Sequence, residues 1–302
     1  MLAPIALFCF NRPVHLKKTL DSLAKNDLAR ESELYIFSDG ARGVKDVLAV
    51  DEVKRVIAEA RGFKNIHYTF SEVNKGLANS IIDGVSKVFG AHNRIIVLED
   101  DLEFSPNFLR YMNDCLDFYE HNGQIFSISG YCAPITIPAD YKEDVFLFYR
   151  INSWGWATWK DRWQLVDWKV EDFDTFIRNK KEREAFNMGG ADCSNMLLKQ
   201  QLGQNNSWAI RFCYTSYKFN KLNVFPTVSK VRNIGADGSG THVRKSRSFE
   251  TKLDDSNNTI KLTTPPLNGQ IIKAYQRFFK RSLVRKVIDY YEIKRYKFFG
   301  KS

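Results

Sequence analysis

Short apolar segments alternate with amphipathic helical segments along the first hundred residues, and this alternation constrains the fold more than any other feature of the sequence. Four segments read as strands: APIALFCF, ELYIFSDG, NIHYTFSE and RIIVLEDD. The stretches between them repeat apolar residues every three or four positions, which predicts three helices. Strands that alternate with helices form βαβ units on a mainly parallel sheet. We therefore predict an α/β fold.

The chain changes character after this first part. A helix is predicted over SPNFLRYMNDCLDFYEHN, and the region that follows is less regular and rich in aromatic residues. All six tryptophans lie between residues 146 and 244. Apolar rings there would suit stacking on a sugar, although for any single tryptophan packing in a core is the favoured interpretation. Pro265 and Pro266 then end the predicted globular part.

Composition limits the class of protein. Apolar residues make up 44% of the 302 residues, as in an ordinary folded enzyme. The five cysteines are scattered without metal-site spacing, so we expect reduced thiols packed in the core. The apolar N-terminus lacks a basic leader and a cleavage site, and no stretch reaches the roughly 18 apolar residues that span a bilayer. We therefore expect a cytoplasmic protein.

The net charge of +10 is concentrated in a C-terminal tail, where residues 270–302 hold ten Lys or Arg and two acids. One helical face of the tail, bordered by basic residues, carries Ile271, Tyr275, Phe278, Ser282 and Val287. This pattern predicts a basic amphipathic helix that binds an anionic membrane surface at its inner face. A terminal helix packed on the domain, or a solvated charged helix, is the alternative. Nucleic acid is not an expected partner, because the charge lies in a tail and not across a folded module.

Three consecutive acids, Glu99, Asp100 and Asp101, follow the fourth predicted strand. Side chains alternate along a strand, so Glu99 and Asp101 share a face while Asp100 points to the other. Ligands of open α/β sheets bind at the carboxyl ends of the strands. Adjacent carboxylates repel each other unless a cation neutralises them, and oxygen ligands suit Mg²⁺ or Mn²⁺. A solvated acidic turn is the alternative interpretation of such a run.

The stretch IIVLEDDLEFSPNF resembles the metal-binding strand of the GT-A glycosyltransferases, and it is most similar to that of the N-acetylglucosaminyltransferase I family. The resemblance implies a GT-A, Rossmann-like fold, with a mixed, mainly parallel sheet flanked by helices and a C-terminal basic amphipathic helix. It also implies that Asp101 binds Mn²⁺ or Mg²⁺ directly. Glu99 and Asp100 would then position the ribose or the sugar of a nucleotide-sugar donor.

Shorter segments resemble other parts of family 2-like and related glycosyltransferases. By this resemblance the donor is surrounded by Phe10, Asn11, Arg12, Asp39, Lys75, Gly76, Gly155 and Trp156, and Trp154 or Trp156 would lie against the acceptor. Asp39 would accept a hydrogen bond from uracil, Lys75 would lie near the diphosphate, and Gly155 would let the backbone approach the sugar. His242, at the end of a glycine-rich loop, would complete the metal site. Each has a structural alternative, such as a helix cap, a turn or a buried aromatic cluster.

The segment before Trp208 resembles the place where related enzymes carry an acidic catalytic base. This chain has Asn206 and Ser207 there, and neither is a competent base at neutral pH. Asp192 is the favoured substitute and Asp161 the second choice. A retaining reaction, which needs no base of this type, is the third possibility.

The resemblance implies a metal-dependent hexosyl- or N-acetylhexosaminyltransferase that uses a UDP-sugar and acts on a saccharide or lipid-linked saccharide in surface polysaccharide or lipopolysaccharide synthesis. Residues 1–145 would bind the nucleotide sugar, residues 146–262 the acceptor, and residues 263–302 would form the tail. Two other classes stay open. A nucleotidyltransferase of sugar phosphates would have a similar sheet and acidic metal ligands. The basic, glycine-rich triphosphate loop of that class is missing after the first predicted strand of this sequence. A noncatalytic, membrane-associated carbohydrate-binding protein would explain the missing base.

Overall fold

The computed structural model describes residues 1–237 and 248–300. Strands and helices alternate over residues 5–99 as the periodicity of the sequence predicts. Their order is β1 (Ile5–Cys9), α1 (Pro13–Leu23), β2 (Glu33–Ser38), α2 (Val44–Glu59), β3 (Asn65–Phe70), α3 (Leu77–Val88) and β4 (Arg94–Glu99). The four strands and three helices predicted for this part of the chain are confirmed.

The rest of the described chain adds shorter strands and further helices. The first group is β5 (Leu102–Phe104), α4 (Phe108–Phe118), β6 (Ile125–Ser129), β7 (Val145–Phe148), β8 (Trp156–Trp159), α5 (Lys160–Gln164), α6 (Phe173–Arg178) and α7 (Lys180–Phe186). The second group is α8 (Cys193–Gln201), α9 (Trp208–Lys218), β9 (Leu222–Pro226), β10 (Val231–Asn233), α10 (Gly269–Phe278) and α11 (Leu283–Phe299). The helix predicted after Ser105 is α4.

One large sheet forms the centre of the described structure, with the strand order β3-β2-β1-β4-β8-β6-β9-β7. The first four strands in this order run parallel, as does the pair β6 and β9, while β8 and β7 run antiparallel to their neighbours. The predicted mixed, mainly parallel α/β sheet of the GT-A type is confirmed. Strands β7, β8 and β9 join the same sheet as β1 to β4, so residues from both predicted halves of the domain share one sheet.

Apolar side chains on the two faces of the sheet build two cores. Along β4, Ile96 and Leu98 face the core beneath α1, α2 and α4, whereas Ile95 and Val97 face the core beneath α3, α8 and α9. This alternation buries the strand on both faces, which is why its sequence is a continuous apolar run. All five cysteines are buried and free, as expected.

The basic tail contains two helices with different surroundings. Ile271 and Tyr275 of α10 are buried in the first core, which corrects the prediction that they form an exposed apolar face. Helix α11 contacts α6 and α8 on the other side of the sheet. Within the described residues, no helix combines the length and apolar character needed to cross a membrane.

Candidate active site

A cleft opens at the carboxyl ends of β1, β2 and β4, and we call it the strand-end cavity. Its walls come from residues that follow these strands, from the start of α3 and from the loop after β10. It is lined by Phe10, Asn11, Arg12, Asp39, Arg42, Asn74, Gly76, Leu77, Glu99, Asp100, Asp101, Trp154, Asn233 and Gly235, among others. Parallel strands that end at one edge bring their last side chains together, so the acidic run lies in the cleft.

Asp101 is held between a cation and an amide. Arg12 Nη1 donates a hydrogen bond to Asp101 Oδ2 at 2.9 Å, and Asn233 Nδ2 donates to Oδ1 at 3.1 Å. The antiparallel pairing of β10 with β5 brings Asn233 to this place, and Ile234 N donates to the Asp101 carbonyl at 2.8 Å. The strand β10 therefore closes the cavity over the acidic run.

The run carries more negative charge than its neighbours balance. Burial and the charge of Asp101 raise the pKa of Asp100 to about 7, although Arg12 opposes this shift. Burial and the other two acids raise the pKa of Glu99 well above its ordinary value. A cation bound beside the run would relieve this repulsion, because an opposite charge stabilises ionised carboxylates.

The residues present fit a divalent cation that is shared with a phosphate ligand. Among the described residues, no group of three or more His, Cys, Asp or Glu side chains is arranged to hold a metal alone. Mg²⁺ is commonly bound through one or two carboxylates together with substrate phosphates, so a complete protein cage is not required. Asp101 is the carboxylate predicted to hold the ion. His242, the second predicted ligand, lies outside the described residues.

Asp39 organises the loop that leads into α3. Its carboxylate accepts hydrogen bonds from Lys75 N at 2.8 Å, Gly76 N at 2.9 Å and Asn74 Nδ2 at 3.0 Å. The Lys75 ammonium turns away and pairs with Asp83 at 2.8 Å. Lys75 is therefore not a wall residue of the strand-end cavity, and its place beside a diphosphate stays a prediction. Asn74 and Gly76, which has φ +77°, line the cavity instead.

Arg42 is a cavity residue that the sequence motifs did not indicate. Its guanidinium carbon lies 5.0 Å from the centre of the Phe10 ring, and its Nε donates to Asp46 Oδ2 at 2.8 Å. Asn11 Nδ2 donates to Asp46 Oδ1 at 2.7 Å, and hydrogen bonding from Arg42 lowers the pKa of Asp46 to about 2. Arg12 and Arg42 give the wall two guanidinium groups, which suit a phosphate-bearing ligand.

A second cleft, which we call the aromatic cavity, adjoins the first. Leu77, Glu99 and Trp154 line both cavities. Besides Trp154, its wall includes the ring side chains of Tyr131, Trp208, Phe249, Tyr275, Phe278 and Phe279. Aromatic faces with a few polar groups between them suit the apolar face of a sugar ring.

Asp192 lines the aromatic cavity as the partner of Arg150. The Arg150 guanidinium donates to both carboxylate oxygens of Asp192, at 2.7 Å and 3.1 Å, and lies 4.3 Å over the Phe279 ring. Burial alone would raise the pKa of Asp192, but the charge and hydrogen bonds of Arg150 lower it overall. A carboxylate engaged through both oxygens is poorly placed to accept a proton. We therefore reassign Asp192 from catalytic base to ion-pair partner.

The segment before Trp208 provides neutral groups with structural partners. Ser207 Oγ accepts a hydrogen bond from Ile210 N at 3.3 Å and caps α9, while Asn206 Oδ1 accepts one from Arg211 at 3.3 Å. Glu99 is the one carboxylate that lines both cavities within the described part of the chain. Its position at the junction was not evident from the sequence, because the second cavity is built from distant segments.

Asp161 lies at the opposite edge of the sheet. It follows β8, which runs antiparallel to β4 so that Trp159 pairs with Arg94 at the start of that strand. Since β4 rises about 3.3 Å per residue, Asp161 is displaced from Glu99 by at least about 16 Å along the strand. Its side chain is largely exposed and pairs with Arg162. Asp161 is therefore too far from the strand-end cavity to act as the base, which corrects its prediction as a candidate.

Two residues of the tryptophan loop also lie outside both cavities. Trp156 is 1% exposed and stacks on Trp208 with ring centres 4.7 Å apart, so it belongs to the core. Gly155 has φ +60°, and an added Cβ would lie 2.8 Å from Val231 Cγ2. Glycine is required there by a tight turn against β10. The predicted donor contacts of Trp156 and Gly155 are therefore corrected, and Trp154 is the residue of this loop at both cavities.

The mainly parallel α/β sheet and the acidic, arginine-lined cleft at its strand ends are the arrangement expected of a glycosyltransferase of the GT-A type. The chain belongs to glycosyl transferase family 2, because the model of that family matches residues 5–186, from β1 to the end of α7. The match includes Asp39 and the whole acidic run. The narrower resemblance to the N-acetylglucosaminyltransferase I family stays a prediction.

Among solved structures, the chain is similar to the crystal structure of S. aureus TarS. The TM-score is 0.38 and the sequence identity is 11%. The similarity covers 76% of this chain but only 36% of that chain. The protein thus spans about a third of the length of this structural relative.

Proposed function

We propose that this glycosyltransferase moves a hexosyl or N-acetylhexosaminyl group from a UDP-sugar to a saccharide or lipid-linked saccharide in surface polysaccharide or lipopolysaccharide synthesis. The observation that carries the proposal is the junction of the two cavities at Glu99. One cavity offers acids and guanidinium groups for a nucleotide diphosphate, and the other offers aromatic rings for a saccharide. The enzyme would act at the cytoplasmic side of a membrane.

The donor is assigned to the strand-end cavity. Asp101 would hold Mn²⁺ or Mg²⁺, which supplies Lewis-acid stabilisation to a diphosphate leaving group. Arg12 and Arg42 would contribute positive charge from the cavity wall. Asp39 keeps the loop before α3 in place and would contact the uracil ring, while Asn74 and Gly76 replace Lys75 as the proposed neighbours of the donor.

Glu99 is our proposed catalytic base. It lines the wall between the cavities, where an acceptor hydroxyl and a donor anomeric carbon would meet. The hydroxyl proton passes to the Glu99 carboxylate as the oxygen forms its bond to the anomeric carbon. The bond from that carbon to the diphosphate breaks, and its electron pair leaves with UDP. A single displacement of this kind inverts the anomeric configuration.

The proposal is tested with Glu99→Gln and Asp101→Asn. For Glu99→Gln we expect binding of the UDP-sugar with Mn²⁺, seen as a thermal shift, to persist while transfer falls by about 100-fold or more, because a general base contributes about that factor. For Asp101→Asn we expect the thermal shift that depends on Mn²⁺ to disappear.

Asp51→Asn is the matched control, since Asp51 is a half-exposed acid on α2. It should leave both the thermal shift and the transfer rate unchanged. A Mn²⁺-dependent shift that survives Asp101→Asn would remove the metal assignment. Release of pyrophosphate from a nucleoside triphosphate and a sugar phosphate would instead identify a nucleotidyltransferase.

A further inference from the structure

Both acids of helix α11 are engaged by neighbouring side chains. Asp289 accepts hydrogen bonds from Arg281 at 2.9 Å and lies 3.3 Å from Arg285 Nε. Glu292 accepts a hydrogen bond from Asn195 Nδ2 at 2.6 Å. These two are the only acids between residues 269 and 300, and at helical spacing neither lies on the face of α11 that carries Leu283, Val287 and Tyr291.

The outer face of α11 is apolar and aromatic. Large exposed side chains follow each other at helical spacing, and they are Leu283, Val284, Val287, Ile288, Tyr290, Tyr291 and Phe298. Leu283 is 80% exposed and Phe298 is 72% exposed. A run of this kind on one helix face is unusual for a surface that contacts only water.

Basic side chains accompany these apolar residues. Lys286, Lys294 and Arg295 of α11 are exposed. Apolar and aromatic side chains flanked by bases, without an acid among them, match a surface that is apolar inside and negatively charged at its boundary.

This surface begins close to the aromatic cavity. Phe278 and Phe279, at the end of α10, form part of the cavity wall. Leu283 follows Phe279 by four residues, a span of at most about 14 Å of extended chain. A molecule that lies in a bilayer beneath α11 could therefore present its polar end to the cavity.

We propose that the outer face of α11 docks on an anionic lipid surface and brings the aromatic cavity to a lipid-linked saccharide. The identity of the acceptor rests on the proposed function, whereas the docking does not. The apolar side chains enter the boundary of the acyl region, the tyrosines lie at the level of the headgroups, and the bases pair with lipid phosphates. The sequence predicted a docking face that includes Ile271 and Tyr275. The structure buries both residues in the first core, so the proposed face lies on α11 instead.

The test is cosedimentation of the full chain with vesicles of phosphatidylcholine, with and without phosphatidylglycerol, in the absence of any nucleotide sugar. We expect binding that requires phosphatidylglycerol and weakens with added salt. Neutralising Lys286, Lys294 and Arg295 together as Gln should lower the partition coefficient about 100-fold, at about fivefold for each base near an anionic leaflet. Val287→Asp should lower it further by placing a carboxylate on the apolar face.

Two control variants match these changes. Lys18→Gln, Arg30→Gln and Lys45→Gln together remove the same charge from exposed positions elsewhere. Leu48→Asp places a carboxylate on α2 at a residue that is 83% exposed. Both controls should bind vesicles like the unaltered protein.

Equal losses in the control and test variants would overturn the docking surface, as would binding that does not depend on phosphatidylglycerol. A dimer in sedimentation equilibrium that Val287→Asp dissociates, without vesicle binding, would assign the face to a second copy of the chain. Transfer to a soluble saccharide is a separate readout, and we expect it to be unchanged in the α11 variants. Failure of docking therefore leaves the proposed function intact, and failure of transfer leaves the docking result intact.

Discussion

Gly235 lies so close to Asp101 that only a hydrogen atom fits between them. An added Cβ would be 2.0 Å from Asp101 Oδ2 and 2.8 Å from Arg12 Nη1. Real Cβ atoms do not approach an oxygen this closely, so any larger residue must displace the carboxylate or the loop. The loop after β10 therefore depends on glycine at this position to close over the acidic run.

We predict that Gly235→Ala lowers kcat/KM by about 100-fold, because a displacement of about 1 Å in a positioning group costs about that factor. The measurement is transfer from a UDP-sugar in the presence of Mn²⁺, with circular dichroism to verify folding. Gly123→Ala is the control, since no heavy atom lies within 4 Å of its added Cβ. Equal rates for the two variants would contradict the close contact.

At the scale of secondary-structure elements, the two tail helices pack against different cores. Helix α10 contributes Tyr275, which is 2% exposed and whose ring centre lies 4.4 Å from that of Phe148. Its hydroxyl accepts a hydrogen bond from Ala133 N at 3.3 Å. Tyr291 on α11 is 62% exposed. Helix α10 therefore buries Tyr275 in the first core, whereas α11 buries Tyr296 in the second core and leaves Tyr291 exposed.

Tyr275→Ala should lower the free energy of unfolding by about 3 to 5 kcal/mol, as expected for removing a large buried ring. Tyr291→Ala should change it by less than about 0.5 kcal/mol, because the ring is exposed. Urea denaturation followed by tryptophan fluorescence measures both. A loss of similar size in Tyr291→Ala would show that the outer face of α11 is buried in solution.

At the scale of the whole molecule, residues 248–268 cross the body without forming a helix or a long strand. Tyr131 donates a hydrogen bond to the Phe249 carbonyl at 2.9 Å, and Asn107 Nδ2 donates to the Asn258 carbonyl at 2.9 Å. Lys230, which is 1% exposed, pairs with Asp254. These contacts fasten residues 248–268 to the segments that precede α4, follow β6 and precede β10.

Asp254→Asn should lower the free energy of unfolding by about 3 kcal/mol at neutral pH, because it leaves the buried Lys230 ammonium without its partner charge. Burial would raise the pKa of Asp254, but hydrogen bonds from Lys230 and Ser256 lower it below its ordinary value of 3.8. Because the pKa of Asp254 is lower in the folded than in the unfolded state, its ionised carboxylate stabilises the protein at any pH above the ordinary pKa. This stabilisation is lost as the pH falls through the folded-state pKa.

The difference in the free energy of unfolding between Asp254→Asn and the unaltered protein should therefore be largest at pH 7. It should shrink as the pH falls below the ordinary carboxyl pKa. Urea denaturation at several pH values gives this profile. Asp255→Asn, at the exposed neighbouring position, is the control and should have little effect at any of them. A difference that does not depend on pH would rule out the ion pair as its cause.

The elements of the first hundred residues were predictable because their signals are local. Alternation and helical periodicity in β1 to β4 and α1 to α3 reflect which faces are buried on a sheet covered on both sides. The position of the acidic run at a strand end followed from the same pattern. These properties depend on neighbours a few residues apart, so the sequence contains them directly.

The tryptophan loop could not be assigned in this way. Trp154 lines the cavities and Trp156 is in the core, although the two residues are chemically identical and two positions apart. The direction of each ring depends on β8 joining β4 and β6, and on the later segment that carries Trp208. The same limitation applied to Asp161, whose place at the opposite edge follows from the antiparallel direction of β8.

The βαβ order of the first half, the acidic run at the end of β4 and the basic charge of the tail can all be read from the amino-acid sequence. The position of Glu99 between two cavities, the pairing of Arg150 with Asp192 and the burial of Tyr275 of α10 became evident in the folded chain. Burial and pairing of a side chain depend on segments distant along the chain, whereas helical and strand periodicity depend on near neighbours.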